Sequence, residues 1–162
     1  MPEIVKREER PYVALRGKVA MDGIAAFADR MGEVVGWLAA HEIAPNDAPF
    51  FKYDVVDTAG DMAGGGLVME IGFPVDDLHH GEGEIVTGVL PAGRYVSSTH
   101  HGHPDGLLGA TRDLLAWADE QGLEWDAHGN QWAARLEIYK SDPREVPDMN
   151  DWETELQFKL KD

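Results

Sequence analysis

The chain has 162 residues, 43% hydrophobic and 27% charged, which suits one globular domain or two intimately packed halves with a real core. A net charge of −16 without any local basic stripe excludes a nucleic-acid backbone as direct partner; it favours cationic small molecules, although solubility explains the same charge. With no cysteine, no apolar run near the ~20 residues of a membrane helix and no secretory signal at the N-terminus, a cytoplasmic protein is expected.

Residues 4–7 and 12–19 read as strands. Asp22 can cap a helix whose apolar positions Ile24, Phe27, Met31, Val34, Val35 and Leu38 form one stripe. After a Pro/Asn loop at residues 45–49, residues 50–56 are a strand, 58–66 a glycine-rich connection and 67–75 another strand. That connection lacks the Lys-Ser/Thr of a phosphate loop and leads into a strand, so phosphate binding is rejected. Residues 76–83 are the best internal boundary, and the pattern then restarts. Residues 84–90 and 94–100 are strands around a Pro91-Ala92-Gly93 turn. Pro104 suits the first turn of a helix with Leu107, Leu108, Thr111, Leu114, Leu115 and Ala118 inward, and Gly122 suits its C-terminal cap. A strand around Glu137 and a last one at 152–160 complete the chain.

Each half therefore reads strand, strand, helix, strand, strand, with halves 1–76 and 84–162 inside a single domain of residues 1–162. Residues echo in the same order: Tyr12-Val13 with Tyr95-Val96, Trp37 with Trp117, Tyr53 with Tyr139, Glu70 with Glu155, and Phe73 with Phe158. The expected fold class is α+β, a duplicated module with two long helices on an antiparallel sheet of about eight strands. On the strand around Glu137, alternation puts Leu136 and Ile138 on one face and Arg135, Glu137 and Tyr139 on the other. By alternation alone Glu137 is either a solvated carboxylate or a ligand contact, and Arg135 on the same face could pair with it.

Tyr95-Val96, His100-His101-Gly102, the helix bearing Trp117, the run Leu136-Glu137-Ile138-Tyr139-Lys140-Ser141-Asp142-Pro143 and the closing Thr154-Glu155-Leu156 resemble the GyrI-like small-molecule-binding domain, the effector-binding module of multidrug-sensing regulators. The resemblance covers essentially the whole chain. It implies two strand-helix-strand-strand units side by side with a ligand groove between the halves. It also places the family's groove glutamate on Glu137 and its tyrosine on Tyr139, with Tyr53 and Phe51 facing the groove from the other half. A partly dry aromatic cleft around a carboxylate would attract cationic or planar aromatic compounds with broad specificity. Trp37 and Trp117, at matching helix ends, join the candidate ligand-binding residues, although packing is the commoner role for such aromatics. The chain departs from the family in having Gly102-His103-Pro104 where Gly-Pro-Tyr is frequent, and it shows no helix-turn-helix, so a stand-alone form is expected.

His100, His101 and His103 lack the accompanying spacing of a metal site, and Ser97, Ser98 and Thr99 beside them lack an orienting group for a triad. No cofactor and no metal is expected. By parity Trp132 should join Leu136, away from Glu137, unless a bulge intervenes. The function implied is a module that senses or sequesters a cationic or aromatic small molecule. The alternatives are a hydrolase of reactive cyclopropane-type compounds with Glu137 as general acid/base, and a gyrase-inhibitor-like protein. Edge strands of such a sheet leave a homodimer open.

Overall fold

The computed structural model describes residues 2–20, 23–57 and 66–161. The first half supplies strands β1 (Glu3–Arg7) and β2 (Arg10–Val19), helices α1 (Ile24–Ala28) and α2 (Met31–Ala40), and strands β3 (Phe50–Asp57) and β4 (Gly66–Pro74). The second supplies β5 (Ile85–Leu90), β6 (Gly93–His101) and helix α3 (Leu107–Glu120). A small hairpin of β7 (Ala127–His128) and β8 (Gln131–Trp132) follows, then β9 (Arg135–Tyr139) and β10 (Glu153–Lys159). All pairings are antiparallel, in the order β1-β6-β10-β9-β3-β4-β2-β5, and the hairpin joins β3 through Val55 and Gln131. The architecture is α+β, two helical segments on a curled antiparallel sheet that leaves a groove.

The order is the same from either edge once the halves are exchanged. Each half lends its first strand to the other: β1 pairs with β6, and β5 pairs with β2. Registers match as well. Val13 faces Phe73 as Val96 faces Phe158, and Arg16 faces Glu70 as Thr99 faces Glu155. At the centre β3 meets β9 with Phe51 opposite Glu137, so the two middle strands bring Tyr53 and Tyr139 to either side of that carboxylate.

Both faces of the sheet bury apolar side chains. Under α1 and α2 lie Val13, Leu15, Leu67, Met69 and Ile71 with Phe27, Val34 and Leu38; under α3 lie Val96, Leu156 and Phe158 with Leu107 and Leu114. The opposite face, inside the curl, buries Tyr12, Phe50, Tyr95, Leu136 and Ile138. Each such side chain contributes about 1.5–3 kcal/mol when fully buried. Gly72 permits the tight crossing of β2 and β4, because a Cβ there would lie 2.0 Å from the Val13 carbonyl oxygen.

Helices α2 and α3 end alike. Leu123 N–H donates to the Ala118 carbonyl and Gly122 N–H to that of Asp119, with Gly122 at φ +68°. Ile43 and Glu42 make the same pair of bonds to Leu38 and Ala39, with Glu42 at φ +56°. These are Schellman ends, which suit a glycine at the left-handed position. Gly122 fills the capping role expected of it.

Three expectations change. The first helix is interrupted at residues 29–30, where Arg30 N–H bonds back to Phe27 and Glu33 N–H to Arg30, tightening the chain into a three-residue turn. Val35 and Leu108, expected inward, are 49% and 72% exposed because the buried stripe of each helix is narrower than the sequence spacing suggests. The hairpin of β7 and β8 was not anticipated. Asp22 and most of the glycine-rich connection lie outside the described residues.

Candidate functional site

The groove lies on the helix-bearing face of the sheet, has a volume of about 450 Å³ and is walled by α1 and the start of α3. Ile24, Ala25 and Ala28 line it on one side and Pro104, Leu107 and Leu108 on the other. Its floor is β3 and β9, with Phe51, Tyr53, Arg135, Glu137 and Tyr139 pointing up, and Phe158 beside them. The lining is mainly apolar, which is the usual make-up of a pocket for a drug-sized molecule.

Glu137 is the carboxylate at the centre of that floor. Tyr53 and Tyr139 each donate a hydroxyl hydrogen bond of 2.8 Å to its Oε1. Both bonds fall on one oxygen, so Oε2 takes neither. The Phe51 ring leans on Tyr139 at 4.6 Å between centroids and 56° between planes, closing an aromatic collar around the carboxylate. Burial pushes the Glu137 carboxyl above the ordinary carboxylate range, while the two tyrosines and the charge of Arg135 pull it back. The same burial, and the neighbouring carboxylate, raise both tyrosine hydroxyls, which stay protonated and remain donors.

Arg135 does not bond to Glu137. Its guanidinium lies over the rings of Trp132 and Phe158, 4.8 Å from each centroid. Strand register explains the second contact, since Arg135 pairs with Phe158 across β9 and β10. The first is a correction: Trp132 sits on the Arg135 side, not with Leu136, because the strand breaks at residues 133–134 and parity is lost. Trp125 completes this cluster, 5.7 Å from Trp132 and 5.8 Å from Phe158.

Phe51, Tyr53, Glu137 and Tyr139 are thus brought together. Trp37 and Trp117 are not among the groove-lining residues. Both lie towards the C-terminal ends of their helices, whereas the groove runs between α1 and the first turns of α3. Trp37 stacks on His41 at 4.0 Å and packs on the first core cluster; Trp117 packs on the cluster under α3. Sequence reasoning missed Arg135 as an aromatic-stacked wall, Phe158, and the apolar rim from α1 and α3. The alternation of Leu156, Phe158 and Leu160 pointed to Phe158, but nothing local in the sequence marks which helix turn borders a groove.

A second cavity of about 540 Å³ opens on the opposite face, lined among others by Tyr12, Arg16, Asp54 and Glu70. Its charges answer one another. Lys52, 7% exposed, bonds to Asp54 and lies 3.3 Å from Glu70; the Tyr12 hydroxyl donates to Glu70 at 2.6 Å. Burial and the neighbouring Glu70 push the Asp54 carboxyl up to about 7, while Glu70 stays below its ordinary value. Most of this network holds itself together; Asp54 Oδ2, without a hydrogen bond among the described residues, lies 3.7 Å from Arg16 Nε. The groove, with an aromatic collar and a carboxylate that no cation touches among the described residues, is better suited to a ligand than a cavity whose carboxylates already hold Lys52.

The fold is shared with several solved structures. The C-terminal domain of EcmrR superposes with a TM-score of 0.78 at 22% identity, over 99% of this chain and 97% of that one. Against the EcmrR chain in its DNA complex, this chain spans only 57% of the length. SAV2435 bound to tetraphenylphosphonium gives 0.68 at 12% identity (99% and 94%), and a hydrolase from Listeria innocua gives 0.61 at 14% (99% and 91%). No curated protein sequence matches the chain. The family model of the GyrI-like small molecule binding domain matches residues 1–161, and the chain belongs to that family. No helix among the described residues is long and apolar enough to cross a membrane.

Proposed function

We propose that the chain is a binding module that senses or sequesters small aromatic compounds carrying a positive charge, with Glu137 as the anionic contact. The observation that carries this reading is the half-satisfied carboxylate: Oε1 is held by two tyrosines, while Oε2 has no hydrogen-bond partner among the described residues and is open to an incoming group. A cation arriving there relieves the cost of keeping that charge out of water, so it gains more than it would at an open surface. Tyr53, Tyr139 and Phe51 offer ring faces worth about 0.5–2 kcal/mol each to a well-placed cation. The net charge of −16 draws cations towards the groove and disfavours nucleic acid as a direct partner. The neighbour SAV2435, solved with tetraphenylphosphonium, supports a lipophilic cation as ligand class.

A second reading rests on the raised proton affinity of Glu137, which suits a general acid/base, and on the Listeria innocua neighbour being a hydrolase. One experiment separates the two. Wild type and Glu137→Gln are incubated with dye-like cations and with strained electrophiles, and both fluorescence and product mass are followed. Ligand returned unchanged, bound more weakly by the variant, supports the binding module; turnover that vanishes in the variant supports the hydrolase. If neither binding nor turnover of any compound changes in Glu137→Gln, the site assignment fails.

A further inference from the structure

Arg135 is a second charged group in the groove, and the described residues give it no ion pair and no side-chain hydrogen bond. Trp132 and Phe158 both lie against it, each centroid 4.8 Å from the guanidinium carbon and the two centroids 5.8 Å from one another, so the rings sit on adjacent sides and do not enclose the group. The rest of the guanidinium faces the groove, and its N–H donors, which lie in the plane, are available there to an acceptor. Glu137 is two residues away on the same strand face, a separation of about 6–7 Å along the strand. It influences Arg135 only through space. Glu137's own donors are the two tyrosines, so neither charge neutralises the other by direct contact.

Such a floor has two ends. At one, a carboxylate oxygen awaits a donor or a cation; at the other, a stacked guanidinium fork awaits an acceptor or an anion. A purely cationic ligand meets the first and is repelled by the second. We propose that the groove prefers amphoteric aromatic compounds, with a basic nitrogen for Glu137 and a carboxylate or similar anionic acceptor for Arg135. This rests on the groove being the binding site, and it names the ligand class within that reading. The two ring contacts make Arg135 suited to the role, because a pre-positioned fork loses little freedom on binding and can hold a carboxylate through two parallel bonds.

Rhodamine B and its ethyl ester test the proposal, since they share one cationic chromophore and differ in whether a free carboxylate is present. Fluorescence anisotropy should show wild type binding the zwitterion about tenfold more tightly than the ester, a difference of ~1.4 kcal/mol. Arg135→Met keeps an apolar, sulfur-bearing contact for Trp132 and Phe158 and should erase that preference while leaving the ester's affinity equal or improved. Arg135→Lys, which keeps charge but loses the fork, should retain only part of the preference. Glu137→Gln should weaken both dyes. Wild type binding the ester as tightly as the zwitterion overturns the proposal, and this comparison needs no variant to fold. A preference that survives in Arg135→Met overturns it too. If neither dye binds wild type, or Glu137→Gln leaves both affinities unchanged, the groove itself is misassigned and the proposal falls with it.

Discussion

Removing either tyrosine hydroxyl beside Glu137 should raise the pH at which the groove loses its hold on a cation. Burial lifts the Glu137 carboxyl, and the bonds from Tyr53 and Tyr139, at 2.8 Å each, act in the opposite direction. A hydrogen bond to a charged acceptor contributes about 1.5–3 kcal/mol, against about 0.5–1.5 for a neutral one. The difference is what favours ionisation, and ~1.4 kcal/mol corresponds to about one pH unit. In Tyr53→Phe or Tyr139→Phe, the midpoint of cation affinity against pH should therefore rise by about one unit, and further in the double variant. Tetraphenylphosphonium is a suitable probe because it does not titrate, and calorimetry across mildly acidic to neutral pH reads the midpoint. Affinity should increase with pH, since only the ionised carboxylate attracts the cation. Ligand-free stability should run the other way. A carboxyl with a raised folded-state pKa contributes stability that is present below its unfolded value and is lost as pH rises through the folded one. A midpoint that stays put or falls in both single variants refutes the role given to the tyrosines.

Two other substitutions test the frame that holds the groove. Lys52→Met leaves Asp54 and Glu70 buried without their cation, and urea denaturation at neutral pH should show a loss of about 3–5 kcal/mol. Part of that loss should return as pH falls and Asp54 takes up a proton, and it should do so at a higher pH than the value of about 7 that holds with Lys52 in place, because Lys52 is one of the groups that lower the Asp54 carboxyl. Glu42→Gly replaces a non-glycine residue at φ +56° in the α2 end and should stabilise the protein by about 1 kcal/mol, seen as a higher thermal midpoint.

Much of this architecture is legible in the chain. Leu136 and Ile138 alternate with Glu137 and Tyr139, and the side-chain period of two places them on opposite faces without further information. The shared order of Tyr12/Tyr95 and Tyr53/Tyr139 pointed to paired halves, and the registers of β2 with β4 and of β6 with β10 agree residue for residue. What escaped is non-local or depends on breaks in periodicity. The exchange of β1 and β5 is a matter of partner choice between distant strands. The turn at residues 29–30 leaves the apolar spacing of the helix intact, so no pattern announces it. Trp132 changes sides through a two-residue interruption, and with it the environment of Arg135. Trp37 and Trp117 show the limit of residue matching: their positions correspond, yet equivalence between helix ends says nothing about which turn borders the groove.

We propose Glu137 as the anionic ligand contact on the groove floor. Titration of tetraphenylphosphonium into wild type and Glu137→Gln at neutral pH tests it most directly, with thermal unfolding of both ligand-free proteins as control. Affinity should be at least tenfold weaker in the variant, about 1.4 kcal/mol or more. The unliganded variant should be no less stable than wild type, because glutamine removes a buried charge while keeping an acceptor for the tyrosines. Equal affinity in two folded proteins would contradict it.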